Sequence, residues 1–297
     1  MEGSTASGVD SELGIRDSIA QLVESAPAGV LRDAATAATM GVEDALGPLI
    51  VADAVEAAVP AALPVALLEA AERAEGAVCG LGGRAAHEAV AGIEDNRAAA
   101  LAAAWLRARA TELAAELGEA LLLRLVEALG SISEGHMREA ADLYDAGRTA
   151  ERYFEATEAI RGGIGSFAAA AANADASEDE VEALAAAAGR IAVAARISDD
   201  VRAMVPELQP EGVPAGEPLT RGIYTLPVIY ALEEDPKLAN SLGGAIKPEA
   251  LEALVWQIRA GGAHARCAVS CRRLVADAGF STLGEEIADA CEEAGRA

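Results

Sequence analysis

Apolar residues recur at three- to four-residue spacing from Ser11 onward, and glycine and proline interrupt this spacing at intervals. Such a period places the apolar side chains on one face of an α-helix. The chain is also rich in alanine, leucine, glutamate and arginine, which favour helices, and poor in the residues that favour strands. We therefore predict an all-α protein. The predicted helices are residues 10–25, 28–40, 45–58, 61–79, 95–130, 134–147, 149–174, 178–205, 222–235, 247–261, 263–279 and 282–295.

Local signals mark some helix ends and the loops between them. Ser177 and Glu180 have the spacing of a capping box, and Ser281 precedes the last predicted helix. Residues 206–218 contain four prolines and two glycines and are predicted to form a loop. Residues 80–92, which begin with a glycine-rich run, are predicted to be loosely structured.

One domain accounts for the chain. The polar residues 1–9 are predicted to be a disordered N-terminus. No repeat, low-complexity linker or change in charge divides the remainder, so residues 10–297 are predicted to form a single large bundle of long helices.

The charge balance excludes some classes of partner. The chain has 48 acidic and 23 basic side chains and a formal net charge of -25. Such a surface is unsuited to nucleic acid or to anionic lipid, since both need a basic face. Only Lys237 and Lys247 are lysine, the other basic residues being arginine. This composition indicates a halophilic protein, because molar salt screens the repulsion between acidic side chains; a GC-rich genome is the alternative explanation.

The remaining composition favours the cytoplasm. Four cysteines are too few for a disulfide framework in a chain of this length. The N-terminus lacks the pattern of a signal peptide, and no uncharged apolar run is long enough to cross a bilayer. We predict a cytoplasmic protein without membrane insertion.

Three segments of the second half carry a family resemblance. Residues 194–204 read Ala-Ala-Arg-Ile-Ser-Asp-Asp-Val-Arg-Ala-Met, and residues 219–232, after the proline-rich loop, contain Gly-Ile-Tyr-Thr-Leu-Pro. Upstream, residues 144–165 run from Tyr-Asp-Ala-Gly-Arg to Ile-Arg-Gly-Gly-Ile-Gly. In order and spacing they resemble the trans-polyprenyl diphosphate synthases of the farnesyl and geranylgeranyl type. That family has Gln-Ile-x-Asp-Asp-x-x-Asp, then Gly-Lys-x-Thr-Leu-Pro, preceded by a Lys-Thr motif.

The resemblance implies the isoprenoid synthase fold, in which helices surround a deep apolar cavity. Two Asp-rich motifs then face each other across its mouth and hold Mg²⁺ ions against the diphosphate of the allylic substrate. Asp199 and Asp200 correspond to the second of these motifs, and Arg161 corresponds to the lysine of the Lys-Thr motif. Carboxylates one turn apart on a helix suit Mg²⁺, which prefers oxygen ligands.

The charged positions of this family are largely replaced. The third carboxylate of the second motif is Ala203, the glutamine is Arg196, and the lysine of Gly-Lys-x-Thr-Leu-Pro is Ile223. The first Asp-rich motif aligns with residues 76–80, which contain no carboxylate, and no Asp-Asp-x-x-Asp string occurs in the chain. The family's paired arginines after this motif correspond to residues 82–84, which contain a single arginine. The family's N-terminal Gly-Lys-x-x-Arg-Pro corresponds to residues 43–48, which contain no lysine or arginine.

These replacements predict a member of the fold with a degraded active site and no cofactor. It would be a non-catalytic partner or modulator of an intact prenyl diphosphate synthase, as a homodimer or as a heteromer with that enzyme. An active Mg²⁺-dependent prenyltransferase with displaced ligands is the alternative, and Glu69, Glu72 and Glu75 would then supply carboxylates, although such a row is more often a solvated face. A carrier that binds isoprenoids in the apolar cavity is the third hypothesis.

Individual residues have two interpretations each. Asp199 and Asp200 form a vestigial metal site or an internal charge network with neighbouring arginines, and Arg161 binds phosphate or faces solvent. Cys267 and Cys271 lie on one helix face, either for close packing or, as in some non-catalytic synthase subunits, for subunit contact.

Isolated histidines and tryptophans complete the candidates. His87, His136 and His264 lie in no nucleophile motif and are predicted at the surface or at helix caps. Trp105 and Trp256 are predicted to anchor the core or to contact a second subunit.

Overall fold

The computed structural model describes residues 14–40, 59–78, 96–173, 176–210, 212–279 and 281–296. The predicted helix 45–58, the predicted N-terminal disorder, the whole of the predicted loose segment 80–92 and the predicted 43–48 and 82–84 alignments lie outside these ranges. The helices are α1 (Ile15–Glu24), α2 (Val30–Thr39), α3 (Val59–Val78), α4 (Asn96–Leu117), α5 (Glu119–Ala141), α6 (Ala150–Thr157), α7 (Gly163–Ala172), α8 (Glu178–Arg202), α9 (Glu217–Thr220), α10 (Leu226–Glu234), α11 (Pro248–Ala260), α12 (Ala263–Ala278) and α13 (Ser281–Arg296).

The prediction of an all-α protein is confirmed. Helix α8 is central, because it packs against α7 on one side and against α12 and α13 on the other. One apolar cluster is built mainly from α1 to α5 and α7, and a second mainly from α8 and α10 to α13. Many of the buried side chains in the first cluster are alanines, which let helix axes approach closely. Within the described ranges, each helix is too short or too polar to cross a lipid bilayer.

The structure divides two of the predicted helical regions differently. We predicted one helix over 95–130 and another over 134–147, but the break falls at Gly118, whose φ of 137° is incompatible with a helix. Helix α5 continues through Gly130 to Ala141. The predicted helix 149–174 contains a π-helical turn at Glu158–Gly162, between α6 and α7.

The predicted starts of α8 and α13 are confirmed. The Ser177 backbone N–H and hydroxyl donate to one Glu180 carboxylate oxygen at 3.0 and 2.6 Å, within the predicted capping box. Helix α13 begins at Ser281. Helix α10 begins at Leu226 rather than at 222, because Thr225 is extended and Pro227 occupies the first turn, where its missing N–H costs nothing.

Predictions for four isolated residues have mixed outcomes. Cys267 and Cys271 on α12 are fully buried, as the packing interpretation predicts, and burial raises the pKa of the Cys267 thiol. Trp256 is 69% exposed, so it does not anchor the core. His264 is buried rather than at the surface, and burial lowers its pKa to about 4.

A close contact between α7 and α8 gives a test of the packing. A Cβ atom on Gly165 would lie 2.7 Å from the Ala188 carbonyl oxygen, and a backbone atom cannot rotate away. We expect Gly165→Ala to lower the free energy of unfolding by about 2–3 kcal/mol. Gly189→Ala is the matched control in the same interface, since its nearest contacts would be 3.5 Å away. Urea denaturation that finds equal losses for both variants would contradict the packing described here.

Candidate functional site

Charged side chains from several elements meet inside the bundle. The central ion-pair network, as we name it, consists of Glu72 on α3, Glu139 on α5, Asp142 and Arg148 in the turn after α5, Arg161 in the π-helical turn, and Arg196 and Asp200 on α8. All of these residues except Arg161 are less than 7% exposed. Buried charges are rare unless they are paired, and here four carboxylates accompany three guanidinium groups.

Asp200 has both carboxylate oxygens engaged. Arg196 Nε donates to Oδ1 at 2.9 Å from one turn earlier on α8, and the Tyr153 hydroxyl donates to Oδ2 at 2.7 Å from α6. Burial and the neighbouring Asp200 charge raise the pKa of Tyr153 well above its ordinary value, so its hydroxyl remains a donor. The carboxylate of Asp200 is therefore held by two protein donors.

Arg196 is the cation in closest contact with Asp200. Burial opposes its charge, yet the neighbouring Asp200, Glu139 and Tyr153, and then Glu72, raise the pKa of Arg196 above its ordinary value. One guanidinium on α8 therefore interacts electrostatically with carboxylates of α3 and α5 as well as with its own helical neighbour.

The π-helical turn directs Arg161 towards α3. Arg161 Nη1 lies 3.2 Å from Glu72 Oε2, and the Arg161 side chain is only 17% exposed. Burial tends to raise the pKa of Glu72, but Arg161 and further cations outweigh it, so the pKa is lowered and Glu72 is ionised at neutral pH. π-Helical turns recur at functional sites because the extra residue redirects the side chains around it.

Arg148 closes the network beside the second apolar cluster. Its Nε lies 3.1 Å from Asp142 Oδ2 and its Nη2 lies 4.0 Å from Glu139 Oε1. Its Nη1 donates to the Tyr224 carbonyl at 3.1 Å, and the guanidinium carbon lies 5.5 Å from the centroid of the Tyr153 ring. Arg148 thereby joins the turn after α5 to the segment that precedes α10.

His136 faces the network from α5, contrary to its predicted place at the surface or at a cap. Both ring nitrogens are buried without a hydrogen-bond partner among the described residues. Burial lowers the pKa of His136, although Glu72 opposes this effect. The imidazole is therefore neutral at pH 7 and leaves the charge balance of the network unchanged.

The structure separates the two predicted metal residues. Asp200 belongs to the central ion-pair network, whereas Asp199 is exposed on the other side of α8. Arg161 contacts Glu72 rather than pointing to solvent. The glutamate row is not a solvated face, because Glu69 and Glu72 are 4% and 2% exposed. The third glutamate, Glu75, forms an ion pair with Arg107.

Sequence reasoning missed Glu139 and Arg148. A signal existed for Glu139, since it continues the buried stripe of α5 formed by Leu125, Ala128, Ile132 and Gly135. A carboxylate on such a stripe indicates a buried ion pair. Arg148 carries no such signal, because it lies in a turn.

The described residues do not fit a magnesium cluster of the kind that the resemblance implies. Magnesium takes oxygen ligands in near-octahedral geometry and commonly needs one or two carboxylates together with phosphate and water. Both oxygens of Asp200 are already occupied, and Glu72 is paired with Arg161. In the part of the chain that the structure describes, no three His, Cys, Asp or Glu side chains are arranged to hold a metal ion.

The described residues form an all-α bundle in which charged side chains converge on the interior. Residues 83–257 match the model of the polyprenyl synthetase family. The chain belongs to this family. A curated relative, the nonaprenyl diphosphate synthase of Mycobacterium tuberculosis (strain ATCC 25618 / H37Rv), is 27% identical over 163 residues, which are 52% of this chain and 48% of the relative. The match thus spans about half of the relative's length.

Solved structures agree on the fold. The heptaprenyl diphosphate synthase of Staphylococcus aureus aligns with a TM-score of 0.73 and 15% identity, over 96% of this chain and 99% of that chain. A geranylgeranyl pyrophosphate synthase from Corynebacterium glutamicum, complexed with calcium and isoprenyl diphosphate, aligns with a TM-score of 0.70 and 22% identity, over 95% and 94% of the two chains. These likenesses confirm the predicted isoprenoid synthase fold.

Proposed function

We propose that this protein is a non-catalytic member of the polyprenyl synthetase family that binds and modulates an intact prenyl diphosphate synthase. The occupation of Asp200 by Arg196 and Tyr153 carries the proposal. The best-preserved motif of the family keeps its two aspartates, but one is exposed and the other is bonded within the protein.

The energetic reason lies in the leaving group. Prenyl transfer requires a diphosphate to depart, and its developing charge needs cations or preorganised donors. Removing a single such donor costs about 10²–10³ in rate in well-studied enzymes. Here Arg161 and Arg196 are paired with Glu72 and Asp200, so moving either to a phosphate would leave a buried carboxylate uncompensated. The arginines of the interior therefore stabilise the protein rather than a substrate.

An exposed apolar surface on α4 and α5 supports the partner role. Leu123, Val126 and Met137 on α5 are 56%, 54% and 65% exposed, and Leu101 on α4 is 61% exposed. The three α5 residues are spaced so that they follow one side of the helix. A run of large exposed apolar side chains is typical of a protein–protein contact. We assign this α4–α5 surface to a homodimer or to a heteromer with the intact synthase.

The alternative of an active enzyme is supported by sequence similarity, since the curated relative is a nonaprenyl diphosphate synthase. It requires Glu69, Glu72 or Glu75 to serve as metal ligands. Glu72 and Glu75 are each paired with an arginine, which weighs against that use. A carrier is the third possibility. An open groove of about 800 Å³ lies between α11 and a set of residues that includes Pro206, Pro214 and Thr220, with Trp256 in its lining, and this groove is a place for an apolar ligand.

One assay distinguishes the three functions. The purified chain is incubated with isopentenyl and allylic diphosphates and Mg²⁺ at high salt, alone and with an intact synthase from the same cell. We expect no product from the chain alone, and association with the synthase together with an altered rate or product length. Product from the chain alone would establish the enzyme instead. Absence of both product and association would leave the carrier, to be tested with a fluorescent isoprenoid.

A further inference from the structure

Helix α5 carries a second stripe on the side that faces away from the bundle. Leu123, Val126 and Met137 are each more than half exposed, and Gly130 and Ser133 are exposed between them. The five positions follow one another at alternating intervals of three and four residues, which is the spacing of a seam between two helices. The buried stripe of α5 lies on the opposite side. The exposed stripe therefore has the pattern of a helix–helix contact that the bundle leaves open.

Gly130, at the middle of this stripe, is not explained by packing within the chain. A Cβ atom there would meet no other part of the described chain within 4 Å, although α5 is helical through this position. Gly135 in the same helix differs, because a Cβ atom there would lie 2.8 Å from the Ala156 carbonyl oxygen. Glycine costs a helix stability relative to alanine, and it lets another backbone approach closely. The open side of Gly130 thus has room for a helix of a second molecule.

The stripe is complementary to a second copy of itself. Two helices that cross at an angle are closest at the crossing point and diverge on either side of it. Gly130 permits the close approach, and the larger Leu123 and Met137 fill the widening gaps seven residues before and after it. The Ser133 hydroxyl donates to the Leu129 carbonyl at 2.9 Å, so an apolar partner would leave this donor satisfied. A two-fold contact uses the same patch on both subunits, as this stripe allows.

The two edges of the stripe determine the relative direction of the helices. Glu127 and Glu134 are exposed along one edge, whereas Leu122, Leu129 and His136 along the other edge are half-buried. Burial lowers the pKa of His136, so the second edge is uncharged at pH 7. In an antiparallel pair the two acidic edges would meet, and in a parallel pair each acidic edge meets the uncharged edge of the other helix. Repulsion between carboxylates therefore favours the parallel pair.

We propose that a second copy of this chain covers the exposed stripe of α5, with the two α5 helices parallel and crossing at Gly130. The inference deepens the proposed function and rests on its assignment of the α4–α5 surface to a subunit contact. It concerns the chain alone, whose homodimer is the state from which a subunit exchanges into a heteromer. A chain that binds the intact synthase but does not pair with itself would overturn this inference and leave the proposed function standing.

Disulfide cross-linking of the full chain tests the contact. The chain is purified alone and oxidised with diamide in about 1 M KCl, which screens the repulsion between two acidic copies. Every variant also carries Cys79→Ser, so that the remaining native cysteines, Cys267, Cys271 and Cys291, are buried. A disulfide requires Cα atoms about 4.4–6.8 Å apart, so only positions that face each other are linked. Cross-linked dimers are measured on a non-reducing gel.

We expect Gly130→Cys to link most of the chains into dimers, because residue 130 then faces its own counterpart. A mixture of Leu123→Cys and Met137→Cys chains should give no mixed dimer, since these positions lie about 21 Å apart along parallel helices. Val269→Cys is the matched control, because Val269 is 71% exposed on α12, and it should remain monomeric on the gel.

A second variant separates the contact from a role of Gly130 within the chain. Glutamine is a better helix former than glycine, so Gly130→Gln should not lower the Tm. Its side chain would occupy the crossing point, and we expect the dissociation constant of the dimer to rise roughly 10-fold or more in analytical ultracentrifugation.

Three results would overturn the proposal. The first is a Gly130→Cys variant that cross-links no more than Val269→Cys does. The second is a mixed dimer of Leu123→Cys and Met137→Cys chains, which would show that the helices are antiparallel. The third is a Gly130→Gln variant that dimerises as tightly as the wild type.

Discussion

Replacing Arg148 with methionine is expected to lower the free energy of unfolding by about 3–5 kcal/mol, which is typical of breaking a buried ion pair. Methionine keeps much of the length of the side chain but removes the charge. The Tyr224 carbonyl would lose its donor, and Asp142 and Glu139 would lose a buried cation. Urea denaturation at high salt is the measurement, because urea carries no charge and leaves the ionic strength unchanged.

Arg152→Met is the matched control for this variant. Arg152 shares the Asp142 carboxylate with Arg148, but its side chain is 42% exposed whereas that of Arg148 is 3% exposed. Exposed ion pairs contribute about 0–1 kcal/mol, and less at high salt, so we expect Arg152→Met to have a small effect. Similar losses for the two variants would mean that burial does not set the strength of these pairs, and the network would then have no special role in the fold.

Sequence patterns predicted the class and most of the helices because helical period and caps are local properties. The capping box of α8 depends on two side chains three residues apart, and both contacts form. The wrong break near residue 130 shows the limit. Gly118 and Gly130 both follow a stretch of sequence with helical periodicity. Only the backbone conformation of Gly118, with φ of 137°, determines that the helix ends there and not at Gly130.

The sequence predicted the helices that carry the candidate site, but it did not predict which charged side chains pair with one another. The motif identified Asp199 and Asp200, yet whether an aspartate binds metal or a neighbouring guanidinium depends on which side of α8 faces the interior. Helix α3 gave a misleading signal. Its glutamates have the spacing of a solvated row, but α3 packs against α4, α7 and other helices on several sides, so Glu69 and Glu72 are enclosed.

Long-range hydrogen bonds explain why sequence reasoning missed the rest of the site. Arg148 donates to the Tyr224 carbonyl, 76 residues away, and Tyr153 donates to Asp200, 47 residues away. Neither separation is marked in a single sequence, since no local period links the partners. The family resemblance located the helices that meet at the site, and the structure supplied the partner of each charge.

A charge placed on the α4–α5 surface is expected to abolish association. Val126 is 54% exposed on α5, between the exposed Leu123 and Met137. If this surface is covered by a second subunit, Val126→Glu buries a carboxylate against apolar side chains without a partner, and we expect the affinity of the dimer or heteromer to fall on the order of 10²-fold or more. Analytical ultracentrifugation across a range of concentrations at high salt measures the shift from dimer to monomer.

Val269→Glu is the control that separates a specific contact from a general effect of added charge. Val269 is 71% exposed on α12, away from α4 and α5, so the same substitution there should leave association unchanged. Because both valines are exposed in the single chain, neither variant should lose more than about 0.5 kcal/mol of folding stability. A wild-type chain that stays monomeric alone and with the intact synthase, or a Val126→Glu variant that associates as the wild type does, would remove the α4–α5 surface from the proposed function.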